Sequence, residues 1–570
     1  MNATTTTNRV LGWSLLLAAS AACAGDPAAH AGDETGGCEG KCDALDDGAE
    51  DPGATQDAVC VAIRGNGPRI WAHFGALARI SEEFGVPVAG AGGSSGSITL
   101  FLLESISSSV LLTECAGGPC DADARAERAA FLFKSIPAYV QGEVAEQTAL
   151  GEISALREQI EQAGAGGLVD ADGQLQVDVE DAAAVLAALV EAPGVVQIVN
   201  PEFLELLAAP IDLSDPAALE RRAFFVQDLA TAVRDFGAFS ATEPAIFVRP
   251  GLVSFAALAG AIGNVAAFYG GDGLDAANLA GFDALLDECA AAATGLTWAK
   301  VAALETSDGS TCGEAFASVA AAHRESVAAD VGALRLDREV GAGLQVLVTT
   351  GVLEGAAADT FAAARATYQL GSHDYDWSIA WDDVRFGYFG QAADLWRLDG
   401  NPLGFDDAKT AKRRMLGAAT WREVLQLSPA EPGLSRAIEL PEGRVSVGGW
   451  SDLFPVQALE NLGCDRVVFI TGEGATHEFQ DGIATLLGMS DAEHEKLYDL
   501  GVADSAFALA LEQADGAWCT DWNRPELDDI DGIFTEGYDA ALETEDPLLS
   551  SYARATIRAD RPGCTPGVSD

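Results

Sequence analysis

Val86-Pro87-Val88-Ala89-Gly90-Ala91-Gly92-Gly93-Ser94-Ser95-Gly96-Ser97-Ile98 is the stretch that decides the fold. It reads as a short strand over Val86 to Ala89, a glycine-rich turn, and a helix marked by Ile98, Leu102 and Ile106 at helical spacing. Ser94, inside Gly92-Gly93-Ser94-Ser95-Gly96, stands where strand gives way to helix. Glycines at Gly92 and Gly96 suit such an elbow, because neighbouring backbone passes close and a side chain would clash. The following helix points its positive end at the serine, which favours a negatively charged tetrahedral intermediate. A chain with 62 glycines produces the bare pattern by chance, so the flanking strand and helix give it its weight.

Upstream, Val59-Cys60-Val61-Ala62-Ile63 is an apolar run of strand type, followed by the turn cluster Gly65-Asn66-Gly67-Pro68. From Arg69 to Phe84, Ile70, Phe74, Leu77, Ile80 and Phe84 recur at helical spacing, with Gly85 as the stop. The order strand, Gly-loop, helix, strand, Ser-elbow, helix predicts a right-handed parallel crossover with a tight turn at the carboxyl end of its second strand.

These residues together resemble the patatin-like acyl hydrolase family. In that family a loop of the form Gly-Gly-Gly-x-Arg-Gly follows the first strand and the Ser elbow comes about thirty residues later. Here Gly65-Asn66-Gly67-Pro68-Arg69-Ile70 stands in the loop's place, with Asn66 and Ile70 replacing glycines, and His73-Phe74-Gly75-Ala76-Leu77 matches the family's helix. Ser428-Pro429-Ala430-Glu431-Pro432-Gly433-Leu434 resembles the family's Ala-Ser-x-Ala-x-Pro segment. Val447-Gly448-Gly449-Trp450-Ser451-Asp452-Leu453-Phe454-Pro455-Val456 is similar to its Asp-Gly-Gly…Pro stretch. The amino-terminal block around the elbow and this distal block together cover about a quarter of the chain. The resemblance implies a three-layer α/β/α core with a large helical insertion, and hydrolysis of a lipid or acyl ester. Ser94 would be the nucleophile, backbone N–H groups of Gly65, Asn66 and Gly67 the oxyanion donors, and Arg69 a group steadying their loop. No cofactor is implied.

One departure bears directly on the chemistry. The family's base is the aspartate of Asp-Gly-Gly, and register anchored on Pro455 puts Val447 there, which accepts no proton. Asp452, just before a short helix over Pro455 to Leu462, can replace it if the loop is rearranged; otherwise it caps that helix. Asp399-Gly400 and Asp481-Gly482 are further Asp-Gly pairs, but out of order. Two alternatives stand beside the dyad: a catalytically degenerate lipid- or partner-binding protein on the same fold, and an α/β-hydrolase triad using His477 or His494.

Residues 121 to about 420 are Ala-rich, with helical periodicity and few strand signals. Within them Gly251 to Gly271 carries no charge, with Phe255, Leu258, Ile262, Val265 and Phe268 on one stripe and Ala256, Ala259, Gly263 and Ala266 on another. A helix buried in the cap or a lipid-facing lid fits this pattern; Ala, Gly, Ser and Asn dilute it too far for a membrane span. Strand signals return in Arg444 to Gly449 and Arg466 to Thr471. The chain therefore divides into a signal peptide (1–22), an acidic linker (23–57), a first core half with the elbow (58–120), a helical insertion (121–425), a second core half (426–475) and a C-terminal extension (476–570).

The amino end predicts export. Arg9 precedes an apolar run from Val10 to Ala22, which ends in Ala18-Ala19-Ser20-Ala21-Ala22-Cys23 and is too short for a mature span. Cys23 fits a lipoprotein processing site; simple cleavage after an Ala-x-Ala pattern fits too, leaving the protein secreted. Eleven cysteines less Cys23 leave an even number, as disulfides require; Cys38/Cys42, Cys115/Cys120, Cys289/Cys312 and Cys519/Cys564 are the local pairs. The histidines join no cysteine cluster of zinc spacing, so no structural metal is expected. The acidic stretches Asp170 to Gly173 and Asp528 to Gly532 lack full calcium-loop spacing. With 33 basic against 87 acidic residues, net −54, nucleic acid is excluded as a partner, since phosphate binding needs clustered Lys and Arg.

Overall fold

The computed structural model describes residues 58–65, 70–115, 118–145, 175–178, 181–182, 184, 200–202, 205, 216–234, 248, 254–326, 331–375, 383–390, 413–430, 436–448, 455, 458–459, 462, 464, 466–472, 530–540 and 552–557. Among these, nine strands make one sheet: β1 (Cys60–Ile63), β2 (Ala89–Gly93), β3 (Gln345–Leu353), β4 (Val384–Phe389), β5 (Arg413–Gly417), β6 (Ile438–Glu439), β7 (Val445–Gly448), β8 (Val467–Gly472) and β9 (Tyr552–Ile557). The order is β9-β8-β1-β2-β3-β4-β5, with β7 paired to β3 and β6 to β7. From β9 to β3 every neighbouring pair is parallel. Strands β4 and β7 both run antiparallel to β3.

Parallel strands need covering on both faces, and alternate residues show that they are. Val61, Ile63, Val346, Val348, Val468 and Ile470 belong to the principal apolar core. Their neighbours Cys60, Ala62, Leu347 and Val467 face the other way and are buried as well. The fold class is mixed α/β with a mainly parallel central sheet, as the sequence predicts.

The helices that matter for the site are α1 (Ile70–Phe84), α2 (Ser95–Ser107), α3 (Ala122–Ala145), α4 (Pro216–Arg234), α5 (Phe255–Tyr269), α6 (Ala276–Cys289), α7 (Cys312–Ser326), α8 (Val331–Leu336), α9 (Gly355–Gln369), α10 (Trp421–Leu427) and α11 (Ile530–Ala540). The uncharged segment forms α5: Phe255, Leu258, Ile262, Val265 and Phe268 are buried along one stripe, and on the other Ala259, Gly263 and Ala266 are buried while Ala256, near the start of the helix, is exposed. It is a core helix rather than a lid. Among the described residues no helix is long and apolar enough to cross a membrane.

Two of the expected boundaries move. Strands β3, β4 and β5 lie inside 121–425 and belong to the central sheet, so that span is not wholly a helical insertion. Beyond 475, α11 and β9 are likewise parts of the core. Helix α11 packs on α1 through facing glycines: a Cβ on Gly75 would stand 2.1 Å from the Phe534 carbonyl oxygen, and one on Gly537 would stand 2.1 Å from that of Ala72. Such approach is open only to residues without a side chain. A buried ion pair fastens the same corner. Lys134 of α3 bonds Glu82 of α1 and donates to the Ala293 carbonyl at 2.7 Å, while Tyr538 of α11 donates to Glu82.

Disulfides join Cys115 to Cys120 and Cys289 to Cys312, as the spacing suggests. A third, Cys60–Cys464, spans 404 residues and ties the start of β1 to the approach to β8. Cys23, Cys38, Cys42, Cys519 and Cys564 lie outside the described residues.

Candidate functional site: a serine elbow at the end of strand β2

Strand β2 is Ala-Gly-Ala-Gly-Gly, a composition with little intrinsic strand preference. Its smallness is imposed by neighbours. A Cβ on Gly90 would stand 2.5 Å from Leu100 of α2, and on Gly92 2.4 Å from the Ile63 carbonyl oxygen. On Gly96, in the first turn of α2, a Cβ would stand 2.8 Å from that same oxygen. A side chain at either glycine would therefore collide with the passing backbone of β1.

Ser94 sits between β2 and α2 with φ 54° and ψ −131°. Among the described residues only Ser94 and Glu442 are non-glycines with positive φ. This conformation costs a serine about 1–3 kcal/mol and persists only where surroundings enforce it. The enforcing contacts are specific. The Ser94 N–H donates to Ser428 Oγ at 2.9 Å, and Ser428 Oγ donates to the Thr349 carbonyl at 2.7 Å. The Ser94 carbonyl accepts from Ser97 Oγ at 2.6 Å and from the Ser97 N–H at 2.9 Å.

Gly65 runs directly beside the serine. A Cβ there would lie 2.5 Å from Ser94 Cβ and 3.0 Å from Ser94 Oγ, so the chain leaving β1 passes too close to the serine side chain to carry one of its own. Asn66, Gly67 and Arg69 lie outside the described residues. Ser94 itself is 4% exposed.

Beneath the elbow, His73 of α1 is fully buried. Its Nδ1 shares a hydrogen bond with the Thr99 hydroxyl at 2.9 Å, and that hydroxyl also lies 3.3 Å from the Ser95 carbonyl oxygen. Burial lowers the His73 pKa from 6.5 to about 3. It is therefore neutral at ordinary pH.

The distal blocks converge on the same place. Strands β2 and β7 share one side of β3: β2 pairs with residues 345–349 and β7 with 351–353, while β4 occupies the other side. Because β7 is antiparallel to β3, its chain runs toward the end of β2. At its close Gly448 has φ 54°, and a Cβ there would overlap the Ala430 carbonyl oxygen at 1.6 Å. The Ser428 and Val447 segments are thus packed on each other and, through Ser428, on Ser94. Val447 is 2% exposed and apolar. Among the described residues no side chain is hydrogen-bonded to Ser94 Oγ. Asp452, His477 and His494 lie outside the described residues, as do Asp399 and Asp481.

An apolar crevice of about 20 Å³, room for one methyl-sized group, opens between α1, α2, α3 and α5. Its walls include Ile70 and Ile98, the first apolar residues of α1 and of α2 after the elbow. No group of three or more potential metal ligands occurs among the described residues. Comparison with models of protein families, with curated proteins and with solved structures finds no match.

Sequence reasoning quotes Ser428 and His73 within larger blocks but gives neither a role. A serine just after a helix rich in Trp, Val and Leu carries no local signal. Its function exists only across 334 residues of separation from Ser94.

Proposed function

We propose that this chain is a serine acyl hydrolase on a patatin-like, three-layer α/β/α core, exported to the cell envelope or beyond, acting on a lipid or other acyl ester. The observation that carries the reading is the backbone of Ser94. It is held in a conformation that serine rarely adopts, at the carboxyl end of a central parallel strand, with a helix N-terminus behind it and Gly65 close against its side chain.

The chemistry is an acyl transfer in two steps. Ser94 Oγ attacks the acyl carbonyl carbon and gives its proton to a carboxylate, for which we assign Asp452; backbone donors from Gly65 to Gly67, their loop steadied by Arg69, hold the oxyanion. Collapse breaks the carbon–oxygen bond to the leaving alcohol, which takes the proton. Water then attacks the acyl-enzyme and releases the acid. Two features support Asp452: β7 is directed at the elbow, and Asp452 follows it by four residues past Gly448. An envelope location through lipidation of Cys23 would bring this strongly acidic protein to a lipid surface.

One observation favours a second reading. Val447, where the resemblance expects an aspartate, is buried in β7, which fits a fold that keeps its framework without a base and serves as a lipid- or partner-binding protein. Hydrolysis of p-nitrophenyl esters of increasing chain length separates the two. The hydrolase reading expects turnover that falls by about 10⁴-fold in Ser94→Ala and by about 10³-fold or more in Asp452→Asn. Turnover unchanged in Ser94→Ala would refute it. Full activity in Asp452→Asn would remove Asp452 from the dyad.

A further inference from the structure

We infer that Ser428 is a positioning residue that holds the nucleophile elbow open and removes the Ser94 amide from the set of oxyanion donors; the inference rests on the hydrolase reading above. Gly93 opposite Thr349 is the last paired position between β2 and β3. One residue on, the Ser94 N–H is the next donor available to the Thr349 carbonyl. A direct bond would keep the chain in the strand. Instead the Ser428 hydroxyl lies between them, accepting from Ser94 N–H at 2.9 Å and donating to Thr349 O at 2.7 Å. One hydroxyl thus extends the ladder by a single atom, letting β2 leave the sheet while both buried backbone groups stay satisfied.

Ser428 is well placed to hold this geometry. It is fully buried, and it caps the end of α10, whose start is fixed by a capping box between Thr420 and Glu423. Two residues later, the Ala430 carbonyl is locked against Gly448. The hydroxyl's one proton goes to Thr349, so Ser428 faces Ser94 only as an acceptor and is neither base nor nucleophile in the resting site. A second consequence follows for the donors. With its N–H committed to Ser428, Ser94 cannot stabilise the oxyanion through its own amide, and that work falls to the loop beginning at Gly65.

The test measures phosphonylation of the full-length mature protein by a fluorophosphonate, reading both the rate constant and the final stoichiometry, with hydrogen exchange followed on the peptide spanning the elbow. In Ser428→Ala the rate constant should fall about 100-fold, the scale of a misplaced reacting group, while stoichiometry stays near one per folded molecule and exchange at Ser94 accelerates. Ser428→Thr, which keeps the hydroxyl, should recover the rate to within about fivefold of wild type. A purely structural role would lower stoichiometry and leave the rate constant unchanged; that result would overturn the inference while leaving the hydrolase reading intact. Failure of folded wild type to react would overturn both. A Ser94 amide that exchanges equally fast in wild type and Ser428→Ala would also overturn it.

Discussion

Acidifying the protein from pH 7 to pH 5 should weaken the fold by about 2 kcal/mol through His73 alone. His73 is fully buried, and desolvation lowers its pKa from 6.5 to about 3. The folded state therefore keeps the ring neutral while the unfolded chain takes up a proton once the pH drops below 6.5. Stability from this group is present at and above neutrality. It is lost at about 1.4 kcal/mol per pH unit below 6.5, levelling off near pH 3 after a total on the order of 5 kcal/mol. Comparison with His73→Gln isolates this group, because the carboxylates, including Glu104, whose pKa burial raises, are common to both proteins. His323, bonded to the Tyr139 hydroxyl and the Asp272 carbonyl and lowered to about 4 by burial, adds a slope of the same sign. The assay is urea unfolding at pH 7, 6 and 5 for wild type and His73→Gln. Wild type should start more stable and lose its lead as the pH falls, the difference between the two changing by about 2 kcal/mol. Parallel pH profiles for the two proteins would refute the reasoning.

Removing Lys134 should leave the buried Glu82 carboxylate with only Tyr538, the Gly295 N–H and the more distant Arg79: Lys134→Met is expected to lose about 3 kcal/mol in urea unfolding, and Lys134→Met with Glu82→Leu to regain part of it. Adding a methyl to the elbow is expected to be costly in proportion to closeness. Gly92→Ala, whose Cβ would stand 2.4 Å from the Ile63 carbonyl oxygen, should lose about 1–3 kcal/mol of stability. Gly260→Ala on α5, with nothing within 4 Å of its Cβ, should gain about 0.5–1 kcal/mol in the same measurement.

The first half of the site was legible because its signals are local. The run before Gly65, the helical spacing from Ile70 to Phe84 and the glycines around Ser94 each constrain a few adjacent residues, and each element appears within a residue or three of its expected limits. Strand β2 is displaced from Val86–Ala89 to Ala89–Gly93 because its residues are chosen for close approach to β1 and α2, not for strand preference. Strand β3 was readable in principle. Val346, Val348 and Val352 mark a buried strand, yet the Ala-rich helical periodicity on both sides, in α7 and α9, hid the change of period. Long-range features left no local trace: the Cys60–Cys464 bridge, the Gly75–Gly537 helix crossing and the Ser428 hydroxyl all join residues hundreds of positions apart.

Hydrolysis as proposed requires Ser94 to be an activated nucleophile. Its most direct test is intact-mass and peptide-mapping analysis of the mature protein after exposure to a fluorophosphonate. A single adduct on Ser94 is expected, absent from Ser94→Ala and lost again on prior unfolding in urea. A folded wild-type protein that carries no adduct, or carries it on another serine, would contradict it.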